Sequence, residues 1–146
     1  CDAYHMSEPK VNGIVKALNK ALINSAIKPE DIDYISAHGT GTMENDETES
    51  IAINRVFGKK TKNIPVSAIK SMLGHTMGAA TAFSAIACCL AIRDSRIPPT
   101  INREKNDPKC KIDSVPNNSR RHTVEVALNN SQAFGGNNAC VILRSY

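Results

Sequence analysis

Ile32-Asp33-Tyr34-Ile35-Ser36-Ala37-His38-Gly39-Thr40-Gly41-Thr42 changes character at His38. Before it, apolar and β-branched residues alternate as they do in a strand; after it come glycine and threonine, the composition of a turn. Helical spacing flanks this strand on both sides. Upstream, Val11, Ile14, Val15, Leu18, Leu22 and Ile23 recur every three or four residues until Lys28-Pro29 ends the run. Downstream, Asn45 or Asp46 can cap a second helix that carries Glu47 and Glu49 in its first turn. Ile51, Ala52, Val56 and Phe57 lie on one face of it, and Gly58 ends it. A short strand is expected over residues 64–69.

Residues 74–92 are almost all small or apolar, among them Gly78, Ala80, Phe83, Ile86, Cys88, Cys89, Leu90 and Ala91. A helix apolar on every side must be buried on every side. In a chain of 146 residues part of that surface is expected to face a domain outside the chain, so an exposed apolar patch is expected here. Pro98-Pro99 opens an extended connector, and strands are expected over residues 111–115, 123–128 and 139–144, the last two forming an antiparallel hairpin around residues 130–138. The order β-α-β-α-β-α-β-β-β predicts an α/β fold with an open, mostly parallel sheet.

Composition narrows the function. The length suits one domain with a real core, and a hydrophobic fraction of 41% with 22% charged residues excludes disorder and coiled coil. A net charge of +4 with only 4% aromatic residues gives no basic stripe with stacking platforms, which argues against nucleic acid as a partner. Cys1, Cys88, Cys89, Cys110 and Cys140 are odd in number and have no metal-binding spacing, so reduced thiols, no metal and a cytoplasmic location are expected. The longest apolar stretch, residues 77–92, is shorter than the ~20 residues of a spanning helix, and no export signal opens the chain. Cys1-Asp2-Ala3-Tyr4-His5 reads as the tail of a strand, so an upstream continuation is expected.

In an open α/β sheet, ligands bind beyond the carboxyl ends of the strands. Three strand ends here carry unusual turns: Ala37-His38-Gly39-Thr40-Gly41-Thr42, Lys70-Ser71-Met72-Leu73-Gly74-His75, and Asn130-Ser131-Gln132-Ala133-Phe134-Gly135-Gly136-Asn137-Asn138. Singly, each histidine is explained as a structural or surface residue, and Lys70 as a solvated lysine. Together, and in this order, they make a constellation.

A-H-G-T-G-T, K-S-x-x-G-H-x-x-G-A-A and F-G-G-x-N resemble the C-terminal motifs of β-ketoacyl synthases of the 3-oxoacyl carrier-protein synthase II type, members of the thiolase superfamily. Asp2-Ala3-Tyr4-His5-Met6, Asn45-Asp46 and Pro98-Pro99-Thr100-Ile101-Asn102 extend the resemblance over essentially all of residues 1–146. The resemblance implies a thiolase-like half domain, a mixed, mostly parallel five-stranded sheet packed between helices, as the C-terminal domain of such an enzyme. The reaction it implies is decarboxylative condensation of a malonyl carrier-protein thioester with an acyl thioester, in fatty-acid or polyketide synthesis. By it, His38 and His75 bind the malonyl thioester carbonyl, Lys70 supports the pair, and Thr40 and Thr42 line the phosphopantetheine channel. Phe134 is the gate and an oxyanion-hole donor, and Gly135 and Gly136 let the gate move. His75 is expected at the N-terminus of the helix over residues 74–92, where the dipole opposes protonation. The chain departs from the pattern at Gln132, usually aromatic, at Ala133, usually glycine, and at Ser84, commonly a buried glutamate in bacterial type II enzymes.

The family nucleophile is a cysteine in a T-A-C turn at a helix N-terminus, and none of the five cysteines matches it. Cys88, Cys89 and Cys140 are expected to be inert packing residues. The resemblance therefore implies an acyltransferase half, inactive alone, with the nucleophile-bearing N-terminal half and an acyl carrier protein as partners. The complete enzyme is expected to be a homodimer or heterodimer, with no cofactor beyond the carrier's phosphopantetheine. Two other readings are a non-catalytic partner subunit like a chain-length factor, against which His38, Lys70 and His75 argue, and a freestanding binding module of the same fold.

Overall fold

The computed structural model describes residues 2–146. A short hairpin, β1 (Ala3–His5) with β2 (Glu8–Pro9), leads into α1 (Val11–Ser25). Then follow β3 (Tyr34–Ser36), α2 (Met43–Phe57), β4 (Pro65–Ser67), the one-turn helix α3 (Lys70–Leu73) and α4 (Ala80–Asp94). The remainder is β5 (Arg96–Ile97), β6 (Asp113–Ser114), β7 (Arg120–Arg121), β8 (Val126–Ala133) and β9 (Asn137–Arg144). The main sheet has five strands in the order β6-β4-β3-β8-β9. All neighbours are parallel except β8 and β9, which pair antiparallel from Val126↔Arg144 to Ala133↔Asn137.

Strand periodicity divides the core between the two faces of this sheet. Ile35 and Leu128 point to α1 and α2 and pack with Ile14, Leu18, Leu22, Ile53 and Phe57. Their neighbours Tyr34 and Ala127 point the other way and pack with Cys88 and Ala91 of α4, with Ile97 and with Val115. Burying a side chain of the Leu or Ile class is worth about 1.5–3 kcal/mol, so these two clusters hold the helices to the sheet. The Tyr34 hydroxyl, sealed in the second cluster, pairs with Ser67 Oγ at 2.7 Å and ties β3 to β4.

Several boundaries differ from the sequence expectation. Helix α2 begins at Met43 with Thr42 at its N-cap position, so Asn45 and Asp46 lie within the first turn, and Ile51 is exposed rather than inward. The apolar run over residues 74–92 is not one helix: Gly74, at φ +73°, breaks it, and a 3-10 turn at Met77–Ala79 precedes α4. Strand β8 extends through Ala133, so the expected hairpin loop shrinks to the turn Phe134–Gly136.

The expected apolar patch is present. Helix α4 buries Ala80, Ser84, Cys88 and Ala91 against the sheet, while Phe83, Ile86 and Leu90 are 44%, 55% and 42% exposed on its other side, and Leu73 and Met77, ahead of the helix, are exposed as well. Met77–Asp94 has 18 residues and a mean hydropathy of 1.3, long and apolar enough by those measures to cross a membrane. Its contacts with β3, β8 and β9 seat its inner side on this sheet. Cys89 is exposed, contrary to expectation, because it falls on the outer stripe; Cys1 lies outside the described residues.

Candidate active site

Strand β3 ends at Ser36, and the turn that follows is held from below by α2. Glu49, 3% exposed, accepts the backbone N–H groups of His38 and Gly39 at 2.8 and 2.9 Å and Nδ2 of Asn130 at 2.6 Å. Burial pushes this carboxyl above the usual carboxylate range, and the Gly39, His38 and Asn130 donors oppose that shift. Asp46 accepts the Gly41 N–H at 3.2 Å. Gly39, at φ +46°, has its missing Cβ position 2.4 Å from Ala68 Cβ, so only glycine lets the turn lie against β4.

The second histidine arrives from β4. Ala68 N–H donates to Thr100 Oγ1 at 3.0 Å, and Ile101 N–H donates to Ser71 Oγ at 3.0 Å, so the Pro98-Pro99-Thr100-Ile101 connector fixes the segment bearing Lys70. The Lys70 ammonium donates to the His38 carbonyl oxygen and lies 3.5 Å from His38 Nδ1. Gly74 then turns the chain so that His75 meets His38 edge to face, with ring centroids 5.8 Å apart and planes at 83°.

Both imidazoles are pinned in the same tautomer. Gln132 N–H lies 3.3 Å from His38 Nδ1, and Met77 N–H lies 3.0 Å from His75 Nδ1. A backbone amide can only donate, so each Nδ1 accepts, and each neutral ring carries its proton on Nε2. His75 lies in the connector before the 3-10 turn, not at the start of α4. The ring is therefore held by this direct bond and not by the α4 N-terminus. His38 is lowered to about 4 by burial, by the Lys70 charge and by His75, and burial lowers Lys70 as well.

The two rings line a cleft of about 340 Å³ with Thr40, Thr42, Asn45, Gln132, Phe134 and Gly136. Thr40 and Thr42 pair their hydroxyls with each other at 3.0 Å. Phe134 is 58% exposed. Its turn is held by the N-terminal hairpin: Gly135 N–H donates to Met6 O at 2.8 Å, and Asp2 N–H donates to Gly136 O at 3.2 Å. A Cβ on Gly136 would fall 2.4 Å from the Asp2 backbone. The structure thus brings together His38, His75, Lys70, Thr40, Thr42, Phe134, Gly135 and Gly136.

Two imidazoles, each with Nδ1 taken by a backbone N–H, thus line a cleft at the strand ends, and comparison with known proteins identifies the family. Residues 1–104 match the family described as "Beta-ketoacyl synthase, C-terminal domain". The chain belongs to the β-ketoacyl synthase family. It is 45% identical, over its whole length and 36% of the relative's, to 3-oxoacyl-[acyl-carrier-protein] synthase 2 of Synechocystis sp.. A solved structure described as the ishigamide ketosynthase/chain length factor covers all of the chain, which spans 36% of it, at 51% identity and a TM-score of 0.95. Another, a type II polyketide synthase acyl-carrier protein in complex with its ketosynthase bound to the hexaketide, covers 99% of the chain, which spans 36% of it, at 37% identity and a TM-score of 0.94. The chain therefore spans about a third of the length of these β-ketoacyl synthase relatives, and its fold is thiolase-like.

Sequence reasoning missed Glu49, which it read as a first-turn acid. The signal was available: Asn45, Glu49, Ala52, Ile53 and Phe57 share the inner stripe of α2, and a carboxylate on that stripe has to be satisfied from inside. Cys88 and Cys140 are pushed up to about 12, chiefly by burial, and Cys110 is also raised by burial, the opposite of a nucleophile's environment. Among the described residues no three His, Cys, Asp or Glu side chains come together to hold a metal.

Proposed function

We propose that this chain supplies the decarboxylation half-site of a β-ketoacyl-[acyl carrier protein] synthase of fatty-acid or polyketide synthesis. The observation that carries this reading is the pair of imidazoles, each with Nδ1 occupied by a backbone N–H and Nε2–H left for a ligand in the cleft. A malonyl thioester bound there places its carbonyl oxygen on the two Nε2–H groups. The bond to its carboxylate breaks, CO2 leaves, and the electron pair enters the thioester as an enolate whose oxygen the two donors stabilise. The enolate carbon then forms a bond to the acyl carbonyl carbon, and the cysteine thiolate that carried the acyl group departs. Preorganised donors of this kind each supply roughly 2.7–4 kcal/mol. Burial and the Lys70 charge keep His38 uncharged, and a neutral donor does not give up its proton to the enolate.

The nucleophilic cysteine belongs to an N-terminal half that packs on the exposed stripe of α4, so residues 1–146 alone are inactive. Thr40 and Thr42 receive the phosphopantetheine arm of an acyl carrier protein, and Phe134 closes the acyl pocket. The complete enzyme pairs with a second subunit, as a homodimer or a heterodimer. The test is His75→Ala in the complete polypeptide: malonyl decarboxylation falls by about 10²–10³ while acylation of the cysteine persists. Unchanged decarboxylation in that variant overturns the assignment.

A further inference from the structure

Several buried side chains among the described residues leave one polar atom unpaired, Ser36, Ser50, Thr61, Ser114 and Asn129 among them, but Gln132 leaves two and lines the cleft. Its Nε2 and Oε1 are both sealed from solvent, and neither has a hydrogen-bond partner. Directly opposite across the β8–β9 ladder, Asn138 leaves its buried Oδ1 in the same condition. A buried polar group without a partner costs about 1–3 kcal/mol, so native cores satisfy nearly all of them, and one that lines a functional cleft calls for a functional explanation. Gln132 lines the cleft that holds His38 and His75, two residues before Phe134. The family pattern has an aromatic side chain at this position, which needs no partner.

Resting on the reading proposed above, we infer that the Gln132 carboxamide is a specificity-determining hydrogen-bond subsite for an amide group of the substrate's thioester arm. The chemistry of the unspent atoms selects the ligand. Gln132 Oε1 and Asn138 Oδ1 are acceptors, and Gln132 Nε2 is a donor. Two acceptors repel a carboxylate or phosphate, and an alkyl chain satisfies none of the three atoms. An amide brings an N–H for an acceptor and a C=O for the donor. Access requires the turn at Phe134–Gly136 to move, and its two glycines, at φ +73° and +76°, sit in the conformations that only glycine adopts freely.

The inference predicts opposite effects on stability and on recognition, which a structural glutamine does not produce. Gln132→Met keeps the length of the side chain and removes the orphan atoms. It is expected to raise the melting temperature of the complete polypeptide. It should also lower, by about 3- to 10-fold, the preference in kcat/KM for the malonyl thioester of N-acetylcysteamine over that of an alkanethiol of equal length. Gln132→Leu is expected to change both in the same directions. A lower melting temperature in Gln132→Met makes the amide a structural partner, and an unchanged preference makes it a bystander; either overturns the inference. If the wild-type protein decarboxylates neither thioester, the proposed reaction fails instead, and the melting temperature still reports on Gln132.

Discussion

Glu49 accepts the backbone N–H of His38 at 2.8 Å, so the acid beneath the site grips the main chain and leaves the imidazole to face the cleft. One carboxylate on α2 thereby joins the end of β3, through His38 and Gly39, to β8, through Asn130. Replacing it with alanine strands three buried donors at about 1–3 kcal/mol each. Glu49→Ala is expected to cost at least 3 kcal/mol of stability, and Glu49→Gln less, because its Oε1 still accepts. Urea unfolding of the complete polypeptide checks this, and equal losses for the two variants contradict it.

Lys70 acts on His38 through charge as well as position. The folded ring titrates near 4 against 6.5 in the unfolded chain, so the unfolded state binds more protons between those values. Stability contributed by the neutral ring is therefore present above pH 6.5 and is lost as pH falls toward 4. Lys70→Met removes the second cause of the shift and leaves the first, burial. The titration of His38, followed by NMR of its ring protons, is expected to move upward toward 6.5 without reaching it. A shift further downward contradicts the proposed role.

The sheet was legible because its signals are local. Tyr34-Ile35 and Ala127-Leu128 alternate in pattern and in space, and the parallel order follows from helices intervening between strands. Turns were less legible. Gly74 breaks the apolar run by adopting φ +73°, a choice glycine makes without announcing it in composition. Long-range satisfaction was the least legible: the partners of Glu49 come from residues 38, 39 and 130, and no periodicity within α2 names them.

Gly135 and Gly136 have nearly the same φ but different surroundings. A Cβ at 135 meets only Asn137 Nδ2 at 3.9 Å, whereas one at 136 runs into the Asp2 backbone. Gly135→Ala is expected to cost about 1 kcal/mol, the strain of a left-handed L-residue. Gly136→Ala adds overpacking of about 1–3 kcal/mol and loosens the hairpin that Asp2 anchors. Thermal unfolding ranks the two, and hydrogen exchange at the Gly135 amide, which bonds Met6, reads the hairpin directly. Equal losses with unchanged exchange contradict the close approach.

Phe83, Ile86 and Leu90 form a stripe on α4 that contributes to neither core cluster. Introducing a charge there, as in Ile86→Lys, touches nothing that holds residues 2–146 together, so the stability of the 146-residue chain by itself is expected to change by no more than about 0.5 kcal/mol. On the packing of an N-terminal half proposed above, the same lysine in the complete polypeptide is buried without a partner, and the expected loss is about 3 kcal/mol or more. Size-exclusion chromatography adds a second readout: the short chain is expected to self-associate through this stripe, and Ile86→Lys to make it more monodisperse. If the complete polypeptide tolerates the lysine as well as the short chain does, the stripe faces solvent in both, and the freestanding-module reading replaces the half-site.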